Sequence, residues 1–228
     1  MSAKPNPQPQ AARKPEAAQA RGWRRRSLLL GAPGAAIVLG GVAGLHGPPV
    51  QAAPAPTPAP GQAGEVERLL RRGGVVIAFR HARAPGTFDP PGMRLDDCRT
   101  QRNLDEEGRA QARRIGQWFT DRALRAARVR SSPWCRCVDT ATLAFGAPEV
   151  WAALGSPVGQ AERSNRESIA ALRQALVEAG RLRGRFEVWV THMFVLSALT
   201  GESSDSGEGL VLGTAADGTP RVLARLMA

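Results

Sequence analysis

The chain has 228 residues, of which 43% are hydrophobic and 22% charged; that is enough apolar material for one packed domain plus extensions and excludes wholesale disorder. Three cysteines exclude a disulfide-dense mini-scaffold, and 5% aromatics with no tyrosine argue against a stacking platform for single-stranded nucleic acid. The formal net charge is +11, but residues 1–52 supply +6 of it and every basic residue beyond them is arginine without a helix-turn-helix, zinc-finger or RNA-binding signature, so no nucleic-acid partner is expected.

In chain order, Arg24-Arg25-Arg26-Ser27-Leu28-Leu29-Leu30 opens an uncharged Ala/Gly/Val/Leu run that leads to the small-residue site Val50-Gln51-Ala52. Residues 1–52 read as a secretory signal, and the paired arginines before the apolar run resemble the twin-arginine type. Export, with a periplasmic destination, is the expectation. An uncleaved tether to the membrane is the alternative, although the run barely reaches spanning length. Residues 53–61 form a Pro/Ala-rich spacer, and the folded domain is expected over 62–228.

Within that domain, Val66, Leu69 and Leu70 are spaced for a short amphipathic helix. Gly73-Gly74 ends it, and Val75-Val76-Ile77-Ala78-Phe79 follows as a strand apolar on both faces. A polar loop runs from His81 to Leu104. Asp105-Glu106-Glu107 then starts a helix with negative charge where its dipole favours it, and Gly108, Ala112, Ile115 and Phe119 share one face. A short strand over 127–130 leads to Ser131-Ser132-Pro133, read as the N-cap and first turn of the next helix. A helix over 164–179, a strand over 186–190 and two weaker strands over 210–212 and 222–226 complete the order. Such alternation predicts an α/β fold, a three-layer α/β/α sandwich with a mostly parallel central sheet.

Outside the leader only two histidines remain, His81 and His192, and each directly follows a buried apolar strand. Ligands of open α/β sheets bind beyond the carboxyl ends of the strands. The segment Ser131-Ser132-Pro133-Trp134-Cys135-Arg136 also runs from a strand end into a helix. If these strands are neighbours, Arg80, His81, Arg136 and His192 share one pocket. Two guanidinium groups beside a helix N-terminus make an anion site suited to phosphate.

These segments carry a resemblance. Arg80-His81-Ala82, Asn103-Leu104-Asp105-Glu106-Glu107-Gly108-Arg109-Ala110-Gln111-Ala112, Ser131-Ser132-Pro133-Trp134-Cys135-Arg136 and Val190-Thr191-His192 resemble, in that order across residues 66–212, the histidine phosphatase (phosphoglycerate-mutase-like) superfamily. With the leader and the small size, the resemblance is to exported phosphatases. It implies a phosphoglycerate-mutase-like fold, a phosphohistidine on His81, and Arg80, Arg136 and His192 as the rest of the phosphate pocket. The implied enzyme is a phosphoric monoester hydrolase of histidine acid phosphatase type, acting on a small phosphorylated substrate and needing no metal or cofactor. A non-catalytic phospho-ligand binding module and a mutase-type phosphotransferase are the alternative readings.

The first motif has Ala82 where the family usually has glycine, which would narrow the pocket. The proton donor has no clear motif. Phytase-like relatives place an acid after the second histidine, where this chain has Met193; mutase-like relatives use a later glutamate, for which Glu162 is the nearest offering. Glu208 ranks first as donor candidate, with Asp97 a further one. Arg102, and Arg83 in the same loop, are candidates for substrate binding, against an alternative as surface arginines. Cys98 is expected to pair with Cys135 or Cys137, joining the loop to the Arg136 helix.

Overall fold

A computed structural model describes residues 60–157 and 162–228. The signal peptide assigned to 1–52 and the spacer as far as residue 59 lie outside the described residues. The elements are α1 (Pro60–Arg72), β1 (Val75–Arg80), α2 (Glu106–Asp121), β2 (Arg128–Ser131), α3 (Cys135–Phe145), β3 (Glu149–Val150), α4 (Glu162–Ala179), β4 (Phe186–Thr191), α5 (Met193–Thr200), β5 (Gly209–Thr214) and β6 (Pro220–Leu226). They build one sheet in the order β3-β2-β4-β1-β5-β6. The four strands from β3 to β1 run parallel, and β5 and β6 add an antiparallel edge.

The period of two along β1 sorts its side chains onto the two faces. Val75, Ile77 and Phe79 pack with Val66, Leu69 and Leu70 of α1, Ile115 and Phe119 of α2, and Ala141 of α3. Val76 and Ala78 pack with Leu172 and Leu176 of α4 and with Val195, Leu196 and Leu199 of α5. The result is the expected three-layer sandwich. β1 and β4 are buried at almost every position because helices cover both of their faces.

Three local features differ from the sequence reading. Ser132 does not cap α3. Its N–H donates to the Val190 carbonyl at 2.9 Å and so continues β2, and the helix begins three residues later after Trp134 with no side-chain cap. Second, α5 has no counterpart in the expected order. Its sequence Met-Phe-Val-Leu-Ser-Ala-Leu-Thr is apolar nearly all round and continues the apolar run of β4, so no helical period marks its start. Third, the Ala82 methyl is buried with Ala84, Leu104 and Ala112, beside α2, and does not narrow the pocket.

Gly108 shows why α2 lies where it does. A Cβ there would collide with the backbone of Arg83, so glycine lets the first turn of α2 approach the chain two residues beyond His81. Asp105 caps that turn, accepting from the Gly108 N–H at 2.7 Å.

Candidate active site

Sheet register brings the candidate residues together. Arg80 is level with Thr191 across the parallel β1–β4 pair, so His81 and His192 leave adjacent strands side by side. The His81 N–H donates to the Thr191 carbonyl at 2.9 Å. Ser131 is level with Val190 on the other side of β4 and carries the chain through Ser132 into α3. The two imidazoles stand 5.5 Å apart, edge to face, and are 2% and 3% exposed. Arg80, His81, Arg102, Arg136 and His192 all line one cavity of about 340 Å³ at the carboxyl ends of the strands. Its outer wall is apolar, with Phe88, Met93, Trp134, Met193 and Phe194.

Hydrogen bonds set the state of each imidazole. His81 Nδ1 lies 2.8 Å from the carbonyl of Ala82, an acceptor only, so Nδ1 carries the proton. Nε2 is left with its lone pair and accepts from Arg136 Nε at 3.3 Å. Burial, with the Arg136, Arg102 and Arg80 charges adding to it against the Ala82 hydrogen bond, pushes the His81 pKa down to about 3. The ring is therefore neutral and aims a nucleophilic nitrogen into a cationic cavity. A nucleophilic imidazole needs an acceptor for its far nitrogen, and the carbonyl of the next residue supplies it.

His192 Nδ1 is 3.5 Å from Arg136 Nη2, a donor only, so Nδ1 accepts there and Nε2–H donates to the Ser132 hydroxyl at 2.8 Å. Burial first, then the Arg136 charge, hold the His192 pKa well below its ordinary value. For His192, expected in the phosphate pocket, to donate to a phosphoryl oxygen, Nδ1 would have to carry a proton. Ser132, read as a helix cap, thus fixes the tautomer of this ring instead.

Arg136 is the hub, 3% exposed at the start of α3. Besides the two imidazoles it donates through Nη1 to Asp89 Oδ1 at 2.8 Å. Arg80 donates through Nη1 to the Ser204 carbonyl at 3.0 Å, and its buried Nε has no partner. Arg102 is anchored to the carbonyls of Ala84 and Gly86 through Nη1, again with a buried, unpartnered Nε. Trp134 Nε1 is a third buried donor without a partner. Three orphaned N–H groups on cavity-lining residues suit an anion with several acceptor oxygens.

The proposed acids lie elsewhere. Glu208 gives Oε1 to Arg225 at 2.8 Å and Oε2 to the Asp205 N–H at 2.8 Å; only its backbone carbonyl, bonded to the Arg80 N–H, adjoins the site. Placed just ahead of β5, it turns its carboxylate toward Arg225 of β6. Asp97 is bound to Arg99, and Glu162 pairs with Arg166 at the start of α4 beside a different cavity. Arg83, exposed and paired with Asp105 and Glu107, does not line the cavity. Among the described residues, the carboxylate that does is Asp89, which the sequence reading passes over within a Pro/Gly-rich loop. Its sequence context, Phe88-Asp89-Pro90-Pro91, signals a turn and nothing more.

Cys98 is bonded to Cys135. Cys137 is free and buried, with its thiol pushed up to about 12 by burial. The cross-link joins the loop that holds Asp89 and Arg102 to the first residue of α3, next to Arg136.

No curated protein matches the chain in sequence. The solved structure of the protein histidine phosphatase SixA with tungstate is 20% identical and is matched over 67% of this chain and 96% of that one, with a TM-score of 0.48. An alpha-ribazole phosphatase from Shigella flexneri is 13% identical over 68% of this chain and 96% of its own, with a TM-score of 0.49. A phosphoglycerate mutase from Thermus thermophilus is 21% identical over 68% and 99%, with a TM-score of 0.42. Residues 77–175, which contain Arg80, His81, Asp89, Arg102 and Arg136, match the family model of the histidine phosphatase superfamily, branch 1.

Proposed function

We propose that this protein is an exported phosphatase that hydrolyses phosphomonoesters through a phosphohistidine on His81. The observation that carries the reading is the state of that ring: neutral, with its proton pinned to the Ala82 carbonyl and its Nε2 lone pair facing a cavity of arginines. Nε2 attacks phosphorus, and the ester P–O bond breaks with its electron pair leaving on oxygen. Charge on the equatorial oxygens meets Arg136 and the free Nε groups of Arg80 and Arg102, which stay cationic throughout. The arriving dianion favours a proton on His192 Nδ1, which then donates to a phosphoryl oxygen. Water next attacks the phosphohistidine, and the P–N electron pair returns to Nε2.

Export is supported by the paired arginines before the apolar run and by the Cys98–Cys135 bond, which suits an oxidising compartment. The test of the chemistry is a quenched reaction with radiolabelled phosphomonoester. Wild type is expected to hold acid-labile, base-stable phosphate, and His81→Ala to hold none and to lose turnover by a factor on the order of 10³ or more. Equal hydrolysis by both would overturn the reading. Saturable phosphate binding by wild type without turnover would instead mark a phospho-ligand binding module.

A further inference from the structure

A leaving alkoxide is too basic to depart unprotonated, so hydrolysis of an alkyl phosphate calls for a proton donor at the mouth of the cavity. Its floor supplies none. The arginines keep their protons, His81 is the nucleophile, and of the His192 protons the one on Nε2 is held by Ser132 while the one that the dianion brings to Nδ1 is held by a phosphoryl oxygen. Glu208, Asp97 and Glu162 are engaged elsewhere. Asp89 is different: it lines the cavity, its side chain is 17% exposed, and Oδ1 is held by Arg136 Nη1 at 2.8 Å and the Arg102 N–H at 3.0 Å. Oδ2 has no protein partner among the described residues. A single guanidinium, that of Arg136, separates this carboxylate from the attacking nitrogen.

Resting on the phosphatase reading of the same cavity, we propose that Asp89 is the general acid for the leaving oxygen, and that the phosphoryl group arms it by drawing Arg136 away. The charged and titratable groups that act on Asp89 are Arg136 from α3 and Arg102 from its own loop, with the buried Cys137 thiol of α3 also within reach of its charge; Arg80 and His81 at the end of β1 and His192 ahead of α5 share its cavity. Burial raises the Asp89 pKa, but the Arg102 amide and the Arg136 guanidinium outweigh it and keep the carboxyl ionised in the free protein. A bound dianion competes for Arg136 and adds like charge, and both effects favour protonation of Asp89. The proton passes to the ester oxygen as the P–O bond breaks. In the second step the Asp89 carboxylate takes a proton from the attacking water as its oxygen bonds to phosphorus and the P–N bond breaks, which restores the acid.

The test compares wild type, Asp89→Asn and Asp89→Glu on glycerol phosphate, whose alkoxide needs the proton, and 4-nitrophenyl phosphate, whose phenolate does not. The loss of kcat/KM in Asp89→Asn is expected to be larger on glycerol phosphate than on the aryl ester by about 100-fold or more. Asp89→Glu should recover part of that difference, and the basic limb of the wild-type kcat profile on glycerol phosphate should vanish in Asp89→Asn. Equal losses on both esters, or an unchanged basic limb, would overturn the assignment while leaving the phosphatase reading intact. A wild type that turns over neither ester would overturn both.

Discussion

At the scale of single residues, the chemistry rests on proton placement more than on residue identity. A histidine with an ordinary pKa is partly protonated at pH 6–7 and then has no lone pair to offer. His81 avoids this because the cost of burying an imidazolium among Arg80, Arg102 and Arg136 outweighs the Ala82 hydrogen bond that would stabilise it. The expected outcome is that the His81 ring signals, assigned by comparison with His81→Ala, stay at their neutral, Nδ1–H positions from pH 8 down to pH 5 in a proton–nitrogen correlation spectrum. A titration centred near 6.5 would contradict the tautomer. The same logic makes Arg136 irreplaceable by lysine, since one ammonium cannot reach His81, His192 and Asp89 from three edges.

At the scale of elements, the loop between β1 and α2 supplies half of the site with little structure of its own. It brings Asp89 and Arg102 over the floor, and its fixed points are the Asp97-capped turn over 98–100, the Gln101 contact with the Cys135 N–H and the Cys98–Cys135 bond. A cross-link of this span contributes about 2–4 kcal/mol, and each kcal/mol moves the melting temperature of a domain this size by about 2–4 °C. Reductant should therefore lower the melting temperature of wild type by roughly 5–15 °C and raise KM for a phosphomonoester, but leave Cys98→Ser, already at the lower values, unmoved. A wild type insensitive to reductant would show that the bond does not hold the loop.

The same contrast explains how much the sequence discloses. β1 and β4 are legible because both faces are covered and their apolar runs are unbroken, and the floor is legible because His81 and His192 directly follow them. α2 announces itself through Asp105 and the Gly108–Phe119 stripe. What stays hidden depends on contacts without a sequence period. Asp89 looks like any turn residue until the cross-linked loop folds over Arg136. Ser132 looks like a cap, since a hydroxyl that bonds an imidazole 60 residues away leaves the same letter. α5 merges with β4 because even its exposed positions, Phe194 and Ala198, are apolar, so helix and strand read as one apolar run.

At the scale of the whole domain, the site is a standing liability toward acid. Two of the three histidines in the chain are His81 and His192, and both are buried with pKa values below the ordinary 6.5, the first at about 3 and the second well lowered. The unfolded chain binds protons at both positions as pH falls through 6.5, whereas the folded domain does not. Stability is thus fully present above that pH and is lost progressively on acidification, until the folded rings protonate in turn. Each histidine contributes at most about 1.4 kcal/mol per pH unit inside the window. The carboxylates held by arginine, Asp89 among them, lose their contribution only further down, below their own unfolded pKa near 3.9. Between pH 7 and pH 5 the histidines therefore dominate. The melting temperature of wild type should fall by several degrees over that interval, and the fall should be shallower in a His81→Gln, His192→Gln double variant. A wild-type melting temperature flat from pH 7 to pH 5 would mean that the rings take up protons in the folded domain, and the neutral nucleophile would be lost with them.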